Sequence, residues 1–270
     1  MKDYIVSPLS DFVFAKVFGD QKNIGNTRAF LKTLLDIPWD EYDKLTVVSP
    51  ILGKFFKQGK TSVVDLKLST KSGKIIHIEL QVEKRSNLRS RILYYAARLI
   101  GDQLRWGENY KKLHQVISIV ICDHNLLEEE DSYINEYELR NKKNNSFTDL
   151  LKVVILELPK LPEKEDGGLW RWLRFLKCRK KEEYDMLKLK YPELEKPIFC
   201  ARKMSFLEKW RDIHFHKGLW ISDEKALLEQ AQIDGKLEIA RNALAKGLAP
   251  EIVRDITGFS LDEIEKLRES

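Results

Sequence analysis

The chain reads as a mixed α/β protein, and three observations carry that reading. One is an alternating hairpin between Ser62 and Lys84. Another is a pair of short, nearly unbroken apolar runs, Val116–Cys122 and Val153–Leu158. The last is a set of amphipathic helical stretches between and after them. Unbroken apolar runs mark strands covered on both faces, whereas strict alternation marks a strand with one covered face. Helices interleaved with a few such strands give a sheet flanked by helices rather than a bundle or a sandwich.

The elements follow in order. Ser10 can cap a helix from Asp11 to Phe18, with Phe12, Val13, Val17 and Phe18 offered to the core. A second helix covers Gly25 to Leu35 and ends at Ile37-Pro38. Val47–Ile51 and Lys54–Phe56 read as strand or turn, with Pro50 between them. After the hairpin, Leu88–Gly107 is helical, with Ile92, Tyr95, Ala96, Leu99 and Leu104 at helical spacing. Pro159, Pro162, Gly167 and Gly168 mark a domain edge. Trp170, Trp172, Phe175 and Leu176 then open a helical segment reaching Trp220, and read as a packed helix face before a base-stacking platform. Ser222 can cap a helix that runs to Lys246 and stops at Gly247, and Pro250 starts the next one. Thr257-Gly258-Phe259 turns the chain, and Ser260 with Glu263 forms a capping box. The divisions are a core over 1–162, a helical extension over 163–222 and an all-helical tail over 223–270.

The hairpin SVVDLKLSTKSGKIIHIELQVEK carries the chemistry. Period-two alternation places Val64, Leu66, Leu68, Ile76, Ile78, Leu80 and Val82 on one face and Asp65, Lys67, His77, Glu79 and Gln81 on the other. A three-residue loop, Lys71-Ser72-Gly73, supplies a glycine where such a loop wants φ > 0. Closure around Ser72 sets Asp65 opposite Glu79, with Gln81 diagonal to Asp65. Directly opposed carboxylates have Cβ atoms about 4.5–5.5 Å apart and repel. A cation between them removes that penalty, and hard oxygen donors suit Mg²⁺ or Mn²⁺. The feature reads as a metal-dependent hydrolytic site, although outer carboxylates of such hairpins commonly just face water. On this reading, replacing Asp65 or Glu79 relieves repulsion and leaves stability intact or slightly higher.

Composition narrows the partners. The 270 residues carry 47 Lys plus Arg against 42 Asp plus Glu, a net charge of +5, with 43% hydrophobic and 33% charged residues. That small surplus leans toward a polyanion, and its clustering says more. Lys84, Arg85, Arg89 and Arg91 follow the carboxylate strand directly and can flank a DNA backbone. Arg140, Lys142 and Lys143 form a second group, and Lys177, Arg179, Lys180 and Lys181 a third. Cys122, Cys178 and Cys200 form neither a CxxC pair nor a disulfide framework, which fits a reducing, cytoplasmic setting. The N-terminus lacks an apolar signal core and no stretch reaches membrane-spanning length, so no membrane association is expected. His214-x-His216 has no zinc-ligand companions and reads as structural. Neither a glycine-rich phosphate loop nor a GxSxG elbow is present, which argues against an NTPase or an α/β-hydrolase.

Asp65, the hairpin and then Glu79-x-Gln81 resemble the PD-(D/E)XK nuclease motif. SDFVFAKVFGD around Asp11 and RILYYAARLIGDQLRWGENYKKL from Arg91 are similar to segments of the Rpn-type recombination-promoting nucleases, a transposase-like branch of that group. VISIVIC, ILELPKL and the tail ARNALAKGLAPEIVRDITGFSLDEIEKL continue the agreement, which spans nearly the whole chain. The resemblance implies a restriction-endonuclease-like core, a mixed central sheet flanked by helices, and a Mg²⁺-dependent DNA endonuclease. Asp65 and Glu79 would hold the metal, Gln81 would orient water or complete the coordination shell, and Asp11 would be an extra acidic ligand. Gln81 stands where most of the wider group carries Lys, a substitution typical of the Rpn-like branch, and Lys67 is a stand-in on the same face. Ala15 stands where the family more often has Lys, which removes a phosphate contact if that Lys makes one. The tail resembles a helix-turn-helix, but its last helix, from Leu261 to Arg268, is acidic where it would enter a groove. Oligomerisation or docking, including a homo-oligomer through these helices, is the expectation for it. The alternatives are a catalytically inert DNA-binding relative and a protein-interaction module.

Overall fold

A computed structural model of the protein describes residues 6–48, 65–84, 87–203, 236–237, 239–245, 247–260 and 264–265. The chain divides into two compact units, Met1–Lys209 and Trp210–Ser270. Val63 and Val64 of the first hairpin strand lie outside the described residues. So do Pro50, Ile51, Lys54–Phe56, Arg85, His214, His216, Trp220, Ser222 and Glu263.

In the first unit the Ser10 hydroxyl accepts from the Val13 amide at 3.2 Å and caps α1 (Asp11–Phe14), which widens into a π-helical turn, Ala15–Gly19. Val13, Phe14, Ala15, Val17 and Phe18 are buried, while Phe12 is only half-buried. The expected face therefore shifts from Phe12 to Phe14, because residues 13, 14, 17 and 18 share one side of a helix and residue 12 falls opposite. The wide turn leaves carbonyls that the next helix, α2 (Ile24–Leu34), satisfies. Asn26 Nδ2 donates to Val17 O at 3.1 Å and Thr27 Oγ1 to Phe18 O at 2.6 Å.

Among the described residues the strands form one six-stranded sheet in the order β1-β2-β3-β4-β6-β5. They are β1 (Thr46–Val47), β2 (Asp65–Ser69), β3 (Ile75–Gln81), β4 (Val116–Cys122), β5 (Ile134–Glu138) and β6 (Leu151–Glu157). β3, β4 and β6 run parallel, while β2 pairs antiparallel with β3 and β5 with β6. A parallel centre with antiparallel edges is the mixed sheet expected. β5 has no counterpart in the sequence reading, because INEYE at a half-exposed edge carries charges at alternate positions and no apolar run. The hairpin register is the one inferred from the turn: Asp65 faces Glu79 and Ser69 faces Ile75. Gly73 has φ +89°, and a Cβ there would meet the His114 ring at 3.0 Å, so glycine is required for the turn and for the close approach.

The two faces of the sheet are covered differently. Leu66, Leu68, Ile76, Ile78, Leu80, Ile119 and Leu156 pack with α1, α2 and the later helices α4 (Gly168–Leu176), α5 (Lys181–Lys190) and α6 (Glu195–Arg202) in the main core. On the opposite face Val120, Cys122 and Ile155 meet Leu88 and Ile92 of the preceding helix α3 (Leu88–Gly101), with Leu126 and Leu127 from the loop after β4. α3 stops at Gly101, short of Gly107, where the Asp102 amide closes onto Arg98 O at 2.8 Å. Trp170, Trp172, Phe175 and Leu176 are all buried, as a packed helix face requires. Trp172 lies 5.9 Å from both Phe18 and Phe30, so α4 completes the same core as α1 and α2.

The second unit is described in part. Residues 236–237 and 239–245 are helical and end in a Schellman turn: Gly247 N donates to Leu244 O at 2.9 Å and Leu248 N to Ala243 O at 3.1 Å, with Gly247 at φ +79°. α7 (Pro250–Thr257) follows and stops at left-handed Gly258. The Ile264 amide donates to Ser260 O at 3.1 Å, which starts a helix where the capping residue was read. Ala240, Ala243, Val253 and Ile264 form a small core, while Ile239, Ile252 and Ile256 stay exposed.

One ion-pair network predicts an acid sensitivity. Tyr191 Oη donates to Glu165 Oε2 and Arg171 Nε to Glu165 Oε1, each at 2.6 Å, tying the approach to α4 to the end of α5. The Tyr191 hydroxyl first, and then the Arg171 guanidinium, hold the Glu165 carboxyl down to about 2 from 4.5. A carboxyl depressed in the folded state stabilises at pH above its unfolded value, and that contribution is lost as pH falls through the folded value. Glu165→Gln should therefore melt below the wild type at neutral pH, with the gap closing between pH 4.5 and about 2 in thermal scans across pH.

Candidate active site

Strand alternation, helix α3 and one arginine build the site. Because Asp65 pairs with Glu79, Glu79 and Gln81 share the face on which β4 presents Val120 and Cys122. α3 covers that face through Leu88 and Ile92, so Glu79 is 2% and Gln81 3% exposed. Glu79 and Gln81 are thus buried beneath a helix and do not lie on a solvated surface. A carboxylate so placed must be compensated. Arg91, in the first turn of α3, does this with Nη2 2.7 Å from Glu79 Oε1. Gln81 Nε2 donates to the same Glu79 oxygen, the only amide orientation that puts a donor against a carboxylate. Arg91 Nε is itself buried with no hydrogen-bond partner among the described residues. Asp65 stands opposite Glu79 in Cα register.

A second buried carboxylate, missed in the sequence, lies farther along the same face. Gln81, Cys122 and Glu157 are in register across β3, β4 and β6. Glu157 is fully buried and fully engaged. Its Oε1 accepts from the Leu126 and Leu127 amides at 2.6 and 3.0 Å, and its Oε2 accepts from Lys160 Nζ at 2.8 Å. It holds the loop after β4 in place. Burial, then the charges of Glu157 and Glu79, push the Cys122 thiol up to about 12, which favours the neutral thiol.

The other sequence-predicted residues are placed as follows. Asp11 opens α1, whose buried residues pack on the face of the sheet opposite Glu79. Lys67 pairs across the hairpin with His77, whose Nδ1 is 3.5 Å from Ser118 Oγ. Lys84 pairs with Glu128 at 2.6 Å and Arg89 with Glu129 at 2.8 Å, and both pairs are well exposed. Such exposed, solvent-screened pairs add little to stability and exchange partners readily. In the other basic groups Arg140 pairs with Glu138 and Arg179 with Asp123. Ala15 is 1% exposed in the main core, so alanine suits that position by packing.

The donors fit a hard divalent cation. Glu79 offers carboxylate oxygens, Asp65 is opposite it and Gln81 adjoins it, and the Glu79 oxygen already draws a guanidinium cation. Among the described residues, no group of three or more His, Cys, Asp and Glu side chains is gathered around one point.

The mixed sheet flanked by helices, with an acidic residue on each strand of its antiparallel hairpin, defines a restriction-endonuclease-like protein of the PD-(D/E)XK class. Residues 8–231 match the family model described as PD-(D/E)XK nuclease family transposase, and the chain belongs to that family. Residues 234–269 match the model of the Rpn/YhgA-like nuclease family, C-terminal HTH domain. The tail expected to serve oligomerisation or docking is therefore a helix-turn-helix element of this family, despite the acidic residues of its last helix. No curated protein and no solved structure matches the chain. No helix among the described residues is long and apolar enough to cross a membrane.

The Arg91 pair reverses one expectation. Repulsion between opposed carboxylates predicted that Glu79→Ala would be harmless, but Glu79 neutralises a largely buried guanidinium. Removing one partner of a buried pair strands the other, so Glu79→Ala should destabilise the protein by about 3 kcal/mol in urea unfolding.

Proposed function

We propose that the protein is a Mg²⁺- or Mn²⁺-dependent DNA endonuclease that hydrolyses phosphodiester bonds. The observation that carries this reading is the Asp65–Glu79 register with Gln81 beside it, within a chain of the PD-(D/E)XK family. Asp65 and Glu79 would hold the ion, while Asp11, whose helix packs on the other face of the sheet, would take no part in holding it. The bound ion would supply a more acidic water and neutralise charge on the phosphate oxygens. Gln81 fixes the rotamer of Glu79 through its hydrogen bond and offers its amide to orient the attacking water. Lys84 and Arg89 flank the strand end, where they would exchange carboxylate partners for DNA phosphates, and Arg85 would join them as a neighbour in the sequence. The helix-turn-helix supports DNA as the partner, and self-association through exposed Ile239, Ile252 and Ile256 is a further role proposed for the tail. Free cysteines support a cytoplasmic setting, and the transposase-like family supports a role in recombination or mobile DNA.

A second reading, an inert DNA-binding relative, draws on the Arg91–Glu79 pair, which balances the buried carboxylate without a metal. Supercoiled plasmid separates the two. The nuclease reading expects nicking with Mg²⁺ that EDTA stops and that Asp65→Ala abolishes. Gln81→Ala should lower turnover roughly 10²-fold, the cost of one positioned polar group, with unchanged DNA affinity, and Gln81→Lys should keep part of the activity. DNA binding without cleavage under any of these conditions establishes the inert relative.

The tail is separable in the same preparation. Truncation after Ser222 should weaken DNA binding in a gel-shift titration while the hairpin's metal binding is retained. A fall in mass by light scattering would assign the tail to self-association as well.

A further inference from the structure

Arg91 is compensated differently from the other buried cation on its face of the sheet. Lys160 has all its donors engaged: its ammonium reaches Leu127 O at 2.6 Å, Glu130 O at 2.6 Å and Glu157 Oε2 at 2.8 Å. That is a finished structural ion pair. Arg91 has one contact to Glu79 at 2.7 Å, a buried Nε with no hydrogen-bond partner among the described residues, and a side chain that remains 18% exposed. An unpaired buried N–H is costly, so this guanidinium is held incompletely where it lies and has donors to give to an incoming anion. Its planar fork suits a phosphate, to which it can donate two parallel hydrogen bonds. Gln81, meanwhile, is neutral, so the positive charge beside Glu79 comes from α3 and not from β3.

We propose that Arg91 is a substrate-facing residue of the site, held on Glu79 until a divalent ion takes the carboxylate, and that its released guanidinium then binds a phosphate oxygen of the DNA. The inference rests on the nuclease reading and deepens it. It makes Arg91 a competitor of the metal and a helper of the reaction, so its loss moves two measurements in opposite directions. A merely structural residue would lower both.

The test uses the full-length protein, with Mn²⁺ affinity read by electron paramagnetic resonance without DNA and single-turnover plasmid cleavage measured alongside. Arg91→Ala should bind Mn²⁺ about tenfold more tightly, a change equivalent to one step of the affinity scale. Its cleavage rate at saturating Mn²⁺ should fall roughly 10²-fold, as expected when one donor to the developing charge is lost. Arg91→Lys, which keeps the charge but loses the fork, should lie between wild type and Arg91→Ala in both measurements, and it decides the matter if Arg91→Ala does not fold. Unchanged or weaker Mn²⁺ binding by a folded variant overturns the competition, and unchanged cleavage overturns the phosphate contact. If both variants unfold, the pair is structural like that of Lys160 and the proposal is wrong. If the folded wild type binds no Mn²⁺, the metal-site reading itself fails and takes this inference with it.

Discussion

The register between β2 and β3 is the constraint on which the site depends. A β-strand alternates with a period of two, so a slip of one residue would carry Glu79 into the apolar core and Ile78 into the pocket. Several features hold the register. Gly73 takes a left-handed conformation that closes the loop around Ser72. Leu66, Leu68, Ile76, Ile78 and Leu80 bury one face completely. β4 then runs parallel to β3 in the register that sets Gln81 beside Cys122. The packing that stabilises the fold is the same packing that sets Asp65 opposite Glu79 in Cα register.

Once that register is set, burial dictates the electrostatics. Two glutamates on one face of the sheet, Glu79 and Glu157, are both almost inaccessible to water. Glu157 accepts from two backbone amides and a lysine and anchors a loop, which gives it a complete hydrogen-bond shell. Glu79 leans on a guanidinium that is itself not fully satisfied and on a neutral amide. The difference lies in the neighbours, since residue type and depth are nearly the same. What distinguishes the Glu79 pair is its cation, because Arg91 keeps a buried Nε without a hydrogen-bond partner among the described residues whereas Lys160 has its donors engaged.

Much of this was legible in the sequence. The hairpin register followed from alternation and one glycine. Val116–Cys122 appeared as a buried strand because every residue in it is covered, and Trp172 and Phe175 appeared as a core face because of their helical spacing. What stayed hidden depends on long-range contact. β5 has no apolar run of its own and becomes a strand only by pairing with the edge of β6. Arg91 sat in a basic run that read as a single surface patch, and only the docking of α3 turns it inward while Arg89 points to Glu129. Phe14 displaced Phe12 because the buried face of a short helix depends on what it meets. The tail is a different case: its charge argued against DNA, while its pattern of caps and turns carried the family's helix-turn-helix.

The basic residues around the strand end share one arrangement. Lys84 holds Glu128, Arg89 holds Glu129 and Arg91 holds Glu79. A chain whose net charge is only +5 need not present a bare positive field to engage a polyanion, because each of these cations is already placed and, under the proposed function, would exchange its carboxylate partner for a phosphate. Such an exchange costs little at the exposed pairs and more at the buried one. Recognition would then begin at Lys84 and Arg89 and reach Arg91 last, as the backbone comes up to the edge of the sheet. That order places the most specific contact next to the carboxylates, where the bond would be broken, and leaves the outer ones to supply salt-sensitive attraction.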